Sequence, residues 1–433
     1  MASKKTTAAA TSTAVDPNDS DAAKTVAQSL TANEVNEVVE VCLATPMEGY
    51  PSKKNDDCLW GLPLCVEGEP GIAKTARMKQ LGRVLSIKVR SLFAAQHPPE
   101  DFSGALIPDG KGDATQICPL SQVRELIKEK RGLIHLDELN GAPPATQGAL
   151  QSFIHERVAG DQPIPGKIRI VASQNPAEIA TGGFALSAPL ANRFVHLVDP
   201  GPTARDWISW LMGNTTSRLN ASMEQIEDQI CDDWPQLFPE SQALFAGFME
   251  ANGEELLHKR PDSGDPAASK AWPSHRTWDY AIRAWTTARI LEKNDSIRDA
   301  IIECCVGPGA AAVFLEYMNE HDIPKPMEVL KGTWKPDQNR IDIVMAAYVG
   351  AIAYVRQRPT MKDKMELGVL AWGSMKQLFP LGLADIAVPA SEGLVLEKLG
   401  RASGDPDLKK AASEILTLLA RSGVQSYVEE RDT

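Results

Sequence analysis

A parallel α/β sheet followed by an all-helical half is the fold class the sequence predicts, and three observations predict it. Short aliphatic runs alternate with amphipathic helix patterns up to about residue 200, as in sheets whose strands are buried on both faces. The strand signals stop after "DPGPTARDW", and from Arg205 onward the sequence reads mostly helical, punctuated by "HDIPKP", "GTWKPDQN" and "SGDPD". The chain has 433 residues, 43% of them hydrophobic and 24% charged, which is an ordinary globular composition for two to three domains.

Residues 1–25 are rich in Ala, Ser, Thr and Lys and nearly free of large apolar side chains, so they are expected to form a disordered tail. Order is expected from "LTANEVNEVVEVCLAT". There Thr31 and Glu34 have capping-box spacing, Leu30 and Val35 that of a hydrophobic staple, and Val35, Val38, Val39, Cys42 and Leu43 make one helical stripe. The strand candidates that follow are Leu62–Val66, Val84–Val89, Leu133–Leu136, Ile168–Ala172 and Phe194–Val198.

Charge and composition exclude several classes. A net charge of −12 argues against a broadly basic surface for indiscriminate nucleic-acid binding, although "RMKQLGRVLSIKVR" and "ELIKEKRG" are locally basic. No apolar run is long enough for a membrane-spanning helix, and the N-terminal lysines lack the apolar core of a secretory signal. The seven cysteines are scattered with no C-x-x-C, which fits reduced thiols and a cytoplasmic location. The seven histidines have no metal-ligand spacing.

The chemistry concentrates in four places. "GEPGIAKTA", Gly68 to Ala76, lies between a strand and a helix and reads as a phosphate loop, although Ala73 stands where G-x-x-x-x-G-K-[ST] has glycine. Gly68 and Gly71 let the backbone amides of Glu69, Pro70, Ile72 and their neighbours curl around an anion at a helix N-terminus (proline contributes no amide hydrogen). Lys74 would meet the β- and γ-phosphates, and Thr75 would ligate Mg²⁺. Because Ala73 opens a helix, the sequence predicts a negative φ there. The alternative for this stretch is a Gly/Pro turn before an ordinary amphipathic helix. "RGLIHLDELN" is an apolar strand ending in Asp137 and Glu138. Such an end delivers one carboxylate to Mg²⁺ and a second to an attacking water, or else caps the next helix. "KIRIVASQNP" ends at Asn175, which could bond a γ-phosphate or the water, and "SAPLANRFVHL" sets Arg193 before a strand.

Together, "GEPGIAKT", "LDELN", "SQNP" and "LANRF" resemble the AAA+ ATPases and within them the MoxR branch, related to magnesium-chelatase subunits. Members of that branch often carry Ala before the lysine. The resemblance spans roughly residues 30–285. It implies a P-loop core with a parallel sheet sandwiched by helices (26–204), an all-α lid (205–361) and a C-terminal helical extension (362–433). It implies ATP and Mg²⁺ as cofactors, Thr75 and Asp137 as the metal ligands, and Glu138, Asn175 and Arg193 as catalytic residues, with Arg193 acting on a neighbouring subunit. "WPSHRTWDYAIRAW" resembles the second sensor with His275 in place of proline; for Arg276 both that role and a plain surface arginine stay open. "HPPEDFSGALIPDG" resembles the branch's pore-facing insertion. The resemblance also implies a homo-oligomeric ring, hexameric by analogy, and a protein client with a von Willebrand factor type A domain. The competing readings are a ring motor on nucleic acid and an ATP-gated scaffold with little turnover.

Three features are read as structural. His135 is expected to be a hydrogen-bonded core histidine. Trp207, Trp210, Trp272, Trp278 and Trp285 are expected in core or interface. Cys304 and Cys305 are expected as a buried helical pair.

Overall fold

The computed structural model describes residues 30–54, 58–108, 115–179, 183–212, 221–262, 264–320, 324–356, 358, 360–401 and 403–422. The expected N-terminal tail lies outside them. The first described element is the Ala32–Ala44 helix, capped by a reciprocal Thr31–Glu34 box; Leu30 and Val35 are both buried.

Five strands form the central sheet: β1 (Leu64–Gly68), β2 (Val89–Phe93), β3 (Arg131–Asp137), β4 (Lys167–Gln174) and β5 (Val195–Asp199). Their order is β5-β1-β4-β3-β2, and every pairing is parallel. Parallel neighbours require crossover connections, so all five C-terminal ends open onto one edge, where open α/β sheets bind ligands. Four strands fall within a few residues of the expected positions. The second does not. Val84 and Leu85 close the Lys74–Val84 helix, on which Met78 and Leu81 are buried, and β2 begins only at Val89. The apolar residues read as a strand there carry the helix's stripe and the turn after it.

β4 holds Arg169 with no exposed surface. Its Nε donates to the Leu43 carbonyl at 2.9 Å, and Nη2 donates to Glu227, which also receives Arg131 Nη2 at 2.8 Å. Gly61, at φ +87°, is required beside it, because a Cβ there would strike the Arg169 side chain. These bonds tie the sheet to the Ala32–Ala44 helix and to the long Met223–Leu256 helix.

Beyond β5 the described chain is helical. Phe245, Trp278, Trp285 and Phe314 pack ring against ring within a cluster that continues into the Ala32–Ala44 helix and one face of the sheet. Cys304 and Cys305 are buried there, as expected. A second cluster runs from Val329 to Leu419, with Trp372 Nε1 donating to the Leu399 carbonyl at 2.7 Å. The Ile341–Arg356 helix packs both into this second cluster and along the Met223–Leu256 helix, so helices on either side of residues 361/362 share one core. The tryptophans divide: Trp272, Trp278 and Trp285 are buried, whereas Trp207 and Trp210, on the Ala204–Leu211 helix, are more than half exposed. A hairpin of Ala105–Pro108 and Thr115–Cys118 carries an exposed Leu106 and Ile107 in the segment expected as an insertion. Among the described residues no helix is long and apolar enough to cross a membrane.

Candidate functional site

The sheet's C-terminal edge gathers residues distant in sequence. β1 runs out at Gly68, where a side chain would strike Ile72 Cδ1 at 2.7 Å and the Asp199 carbonyl at 2.8 Å; only glycine lets the loop lie this close to β5. Glu69, Pro70, Gly71 and Ala73 are exposed, Gly71 turns at φ +87°, and the loop feeds the Lys74–Val84 helix, with Ala76 exposed in its first turn. That helix N-terminus carries no capping side chain, so its first amides face outward with the positive end of the helix dipole.

Ala73 departs from expectation. Its φ is +69° and ψ +31°, the left-handed region, not the negative φ predicted for a residue opening a helix. The reason is its place in the chain: it is the N-cap and completes the curl begun at Gly71, so it takes the conformation the missing glycine would supply without strain. Glu138 is likewise left-handed, at φ +56°.

Lys74 lies beneath the loop, 9% exposed. Its ammonium donates to the Gly68 carbonyl at 2.5 Å, to the Glu69 carbonyl at 2.9 Å and to Asn175 Oδ1 at 2.9 Å. Burial lowers its pKa, against the opposing charges of Asp137, Asp199 and Glu69. Thr75 Oγ1 donates to Asp137 Oδ2 at 2.5 Å, and Ser173 Oγ donates to Asp137 Oδ1 at 2.5 Å. Burial by itself would raise the Asp137 pKa; the Ser173 and Thr75 hydroxyls outweigh it and hold the carboxyl below its ordinary value. Glu138 is exposed beside it, and Asn140 Nδ2 donates to the Asn175 carbonyl at 2.8 Å, fixing the end of β4. The sequence-predicted Lys74, Thr75, Asp137, Glu138 and Asn175 thus meet at one place.

Arg193 does not join them. Val195 pairs with Leu64 and Asp199 with Gly68, so the length of β5, roughly 13 Å at 3.3 Å per residue, separates Arg193 from the level of the loop. It is partly buried, and its Nη1 donates to the Pro189 carbonyl at 2.5 Å, while Nε has no hydrogen-bond partner among the described residues. Burial lowers its pKa, and the next cause is repulsion from Arg276. Arg276 stands on the first turn of the His275–Ile290 helix, whose N-cap Ser274 donates to Asn192 Oδ1 at 2.8 Å. The two guanidiniums therefore share the sheet's N-terminal edge, and His155 lies within their field.

His135 is the hydrogen-bonded core histidine expected from the sequence, but its link to Asp137 through Ser173 was not anticipated. His135 has no exposed surface; its Nδ1 is 3.2 Å from Ser91 Oγ and its Nε2 3.0 Å from Ser173 Oγ. Burial pushes its pKa down to about 4. The available signal was the spacing: His135 and Asp137 are polar at i and i+2 in an aliphatic strand, hence on one face. Also unanticipated were the ion pair of Arg77 with Asp199 at 2.9 Å and the bond from Gln174 Nε2 to Glu67 at 2.8 Å.

A Gly-turned loop at a helix N-terminus, a buried lysine, a hydroxyl–carboxylate pair and a polar strand end together make a set of groups able to receive an anion beside a divalent cation. Residues 63–196 match the model of the ATPase family associated with various cellular activities (AAA). The matched segment contains the loop, Asp137, Glu138, Asn175 and Arg193; Arg276 lies outside it. No curated protein matches the chain. Among solved structures, a putative ATPase from Cytophaga hutchinsonii ATCC 33406 is similar at 16% identity and a TM-score of 0.39, over 67% of this chain and 89% of that one.

Proposed function

We propose that the chain is an ATPase of the MoxR-type AAA+ class, hydrolysing ATP to ADP and phosphate and coupling turnover to the remodelling of a protein client. The observation that carries this reading is the convergence of Lys74, Thr75, Asp137 and Asn175 at the C-terminal edge of the sheet, beneath an exposed amide loop. Lys74 and the amides of Gly68–Ala76 bind the triphosphate. Thr75 and Asp137 present a hydroxyl and a carboxylate, hard oxygen donors that suit Mg²⁺ alongside phosphate oxygens, and among the described residues no larger acidic or His/Cys cluster competes with them. When bound, Mg²⁺ would neutralise charge developing on the β- and γ-phosphates. Glu138, exposed next to Asp137, accepts the proton of the attacking water, and Asn175 orients that water.

Arg193 and Arg276 belong to the opposite edge of the sheet, which suits residues that act on nucleotide held by a neighbouring copy. An arginine supplied in trans contributes about 10³–10⁵ in rate, so the working form in this reading is a ring, hexameric by resemblance. The client with a von Willebrand factor type A domain rests on family resemblance alone.

The test is steady-state ATP hydrolysis by wild type, Glu138→Gln and Arg193→Ala across a range of protein concentrations. Wild-type specific activity should rise as subunits assemble. Glu138→Gln should bind ATP without turning it over and, with ATP present, should retain the client in a pull-down. Arg193→Ala should lose at least about 10³ in rate with nucleotide binding intact. Specific activity that stays flat with concentration, together with a silent Arg193→Ala, refutes the trans arrangement.

A further inference from the structure

We propose that His135 is a positioning residue that acts through Ser173 to hold the Asp137 carboxylate in the orientation that meets Thr75 and a divalent cation. This deepens the ATPase reading above and rests on it.

The sheet register builds the arrangement. Ser91 on β2 and Val171 on β4 both pair with His135 on β3, and Ala172 pairs with Leu136, so Ser173 stands beside Asp137. Side chains two apart on a strand share a face. Ser91, His135, Ser173 and Asp137 therefore form one row across three strands, and Thr75 meets its end from the adjoining helix.

The donors run one way. Asp137 can only accept, so Ser173 must spend its one proton on Oδ1. The Ser173 oxygen is then left as an acceptor, and the ring atom 3.0 Å from it, His135 Nε2, must carry the hydrogen. Ser91 Oγ meets the other nitrogen at 3.2 Å. Asp137 Oδ1 also accepts the Glu138 backbone N–H at 3.1 Å, so both of its lone-pair directions are used. Oδ2, already beside Thr75, is left as the oxygen open to a cation. Without His135 the Ser173 hydroxyl loses the donor that turns its proton toward Asp137, and without Ser173 the Oδ1 side of the carboxylate is held by the Glu138 N–H alone. Outer-shell partners of this kind change metal affinity by about 10–100-fold when removed.

The test uses the full-length protein and a fluorescent ADP analogue, titrated first in EDTA and then with increasing Mg²⁺. Wild type should bind in EDTA and bind more tightly as Mg²⁺ is added. His135→Met and Ser173→Ala should each leave binding in EDTA unchanged and raise the Mg²⁺ needed for half of the tightening by about 10-fold. The double variant should lose no more than either alone. His135→Gln, whose amide N–H can still face Ser173, should restore the wild-type Mg²⁺ requirement to within about twofold. Nitrogen and carbon NMR of the wild-type ring should show the Nε2–H tautomer, a readout independent of any variant's folding. If both single variants keep the wild-type Mg²⁺ requirement, or the ring carries its hydrogen on Nδ1 instead, the positioning role is overturned while the nucleotide reading stands. If wild type binds no nucleotide, or Mg²⁺ fails to tighten it, the nucleotide reading falls and the cation-positioning role falls with it.

Discussion

Ala73 carries a methyl group in backbone space that L-residues avoid, and replacing it with glycine should stabilise the protein. At φ +69° and ψ +31° the Cβ approaches the following carbonyl, which costs roughly 1–2 kcal/mol for an L-residue. The methyl is exposed, so its removal opens no cavity and forfeits almost no buried surface. Against the relief stands the extra freedom glycine gives the unfolded chain, about 0.4–1 kcal/mol. Ala73→Gly should therefore gain about 0.5–1 kcal/mol. Asparagine tolerates the left-handed region and can cap a helix, so Ala73→Asn should also gain, whereas β-branched Ala73→Val should lose. The assay is the urea midpoint at unchanged m, supported by native-state hydrogen exchange of amides in the Lys74–Val84 helix. A Gly variant less stable than wild type, or a Val variant equal to it, refutes the left-handed assignment and the strain argument together.

Two further outcomes follow from the packing. Glu227→Gln should destabilise the protein by about 3–5 kcal/mol, read from the urea midpoint, because it strips the charge partner from the fully buried Arg169 and from Arg131. Burial also pushes His196 down to about 4 from 6.5, although its ring bonds the Ala191 carbonyl. The unfolded chain then binds the proton first, so stability is full above about pH 6.5 and falls as pH drops toward 4, by at most about 3 kcal/mol; His196→Gln should flatten that part of a stability–pH profile.

Much of the site was legible because a tight strand-to-helix loop and strand burial impose local patterns. A loop between strand and helix needs Gly68, Gly71 and Lys74 close together in sequence, and a strand buried on both faces shows as an aliphatic run ending in Asp137 or Asn175. The second strand was misplaced by local pattern alone, since Val84 and Leu85 fit either period until the packing of Met78 and Leu81 assigns them to the helix. The conformation of Ala73 was misjudged for a related reason: the residue opens a helix, but the curl of the preceding loop sets its φ.

The sequence by itself determined the class of sheet, the helical second half, the glycine-turned loop between strand and helix and the carboxylate and amide at two strand ends. Each of these depends on residues within one element and its flanking turn. Tertiary structure alone decided which of them meet. Strand order β5-β1-β4-β3-β2 brings Asn175 to Lys74 and Thr75 to Asp137, while the register of β5 leaves Arg193 at the far edge, where the Ser274–Asn192 bond also brings the helix start that carries Arg276. It also supplied the partners of the hydrogen-bonded core histidine His135, placing it in the middle of a row, because cross-strand register pairs residues that no spacing along the chain connects.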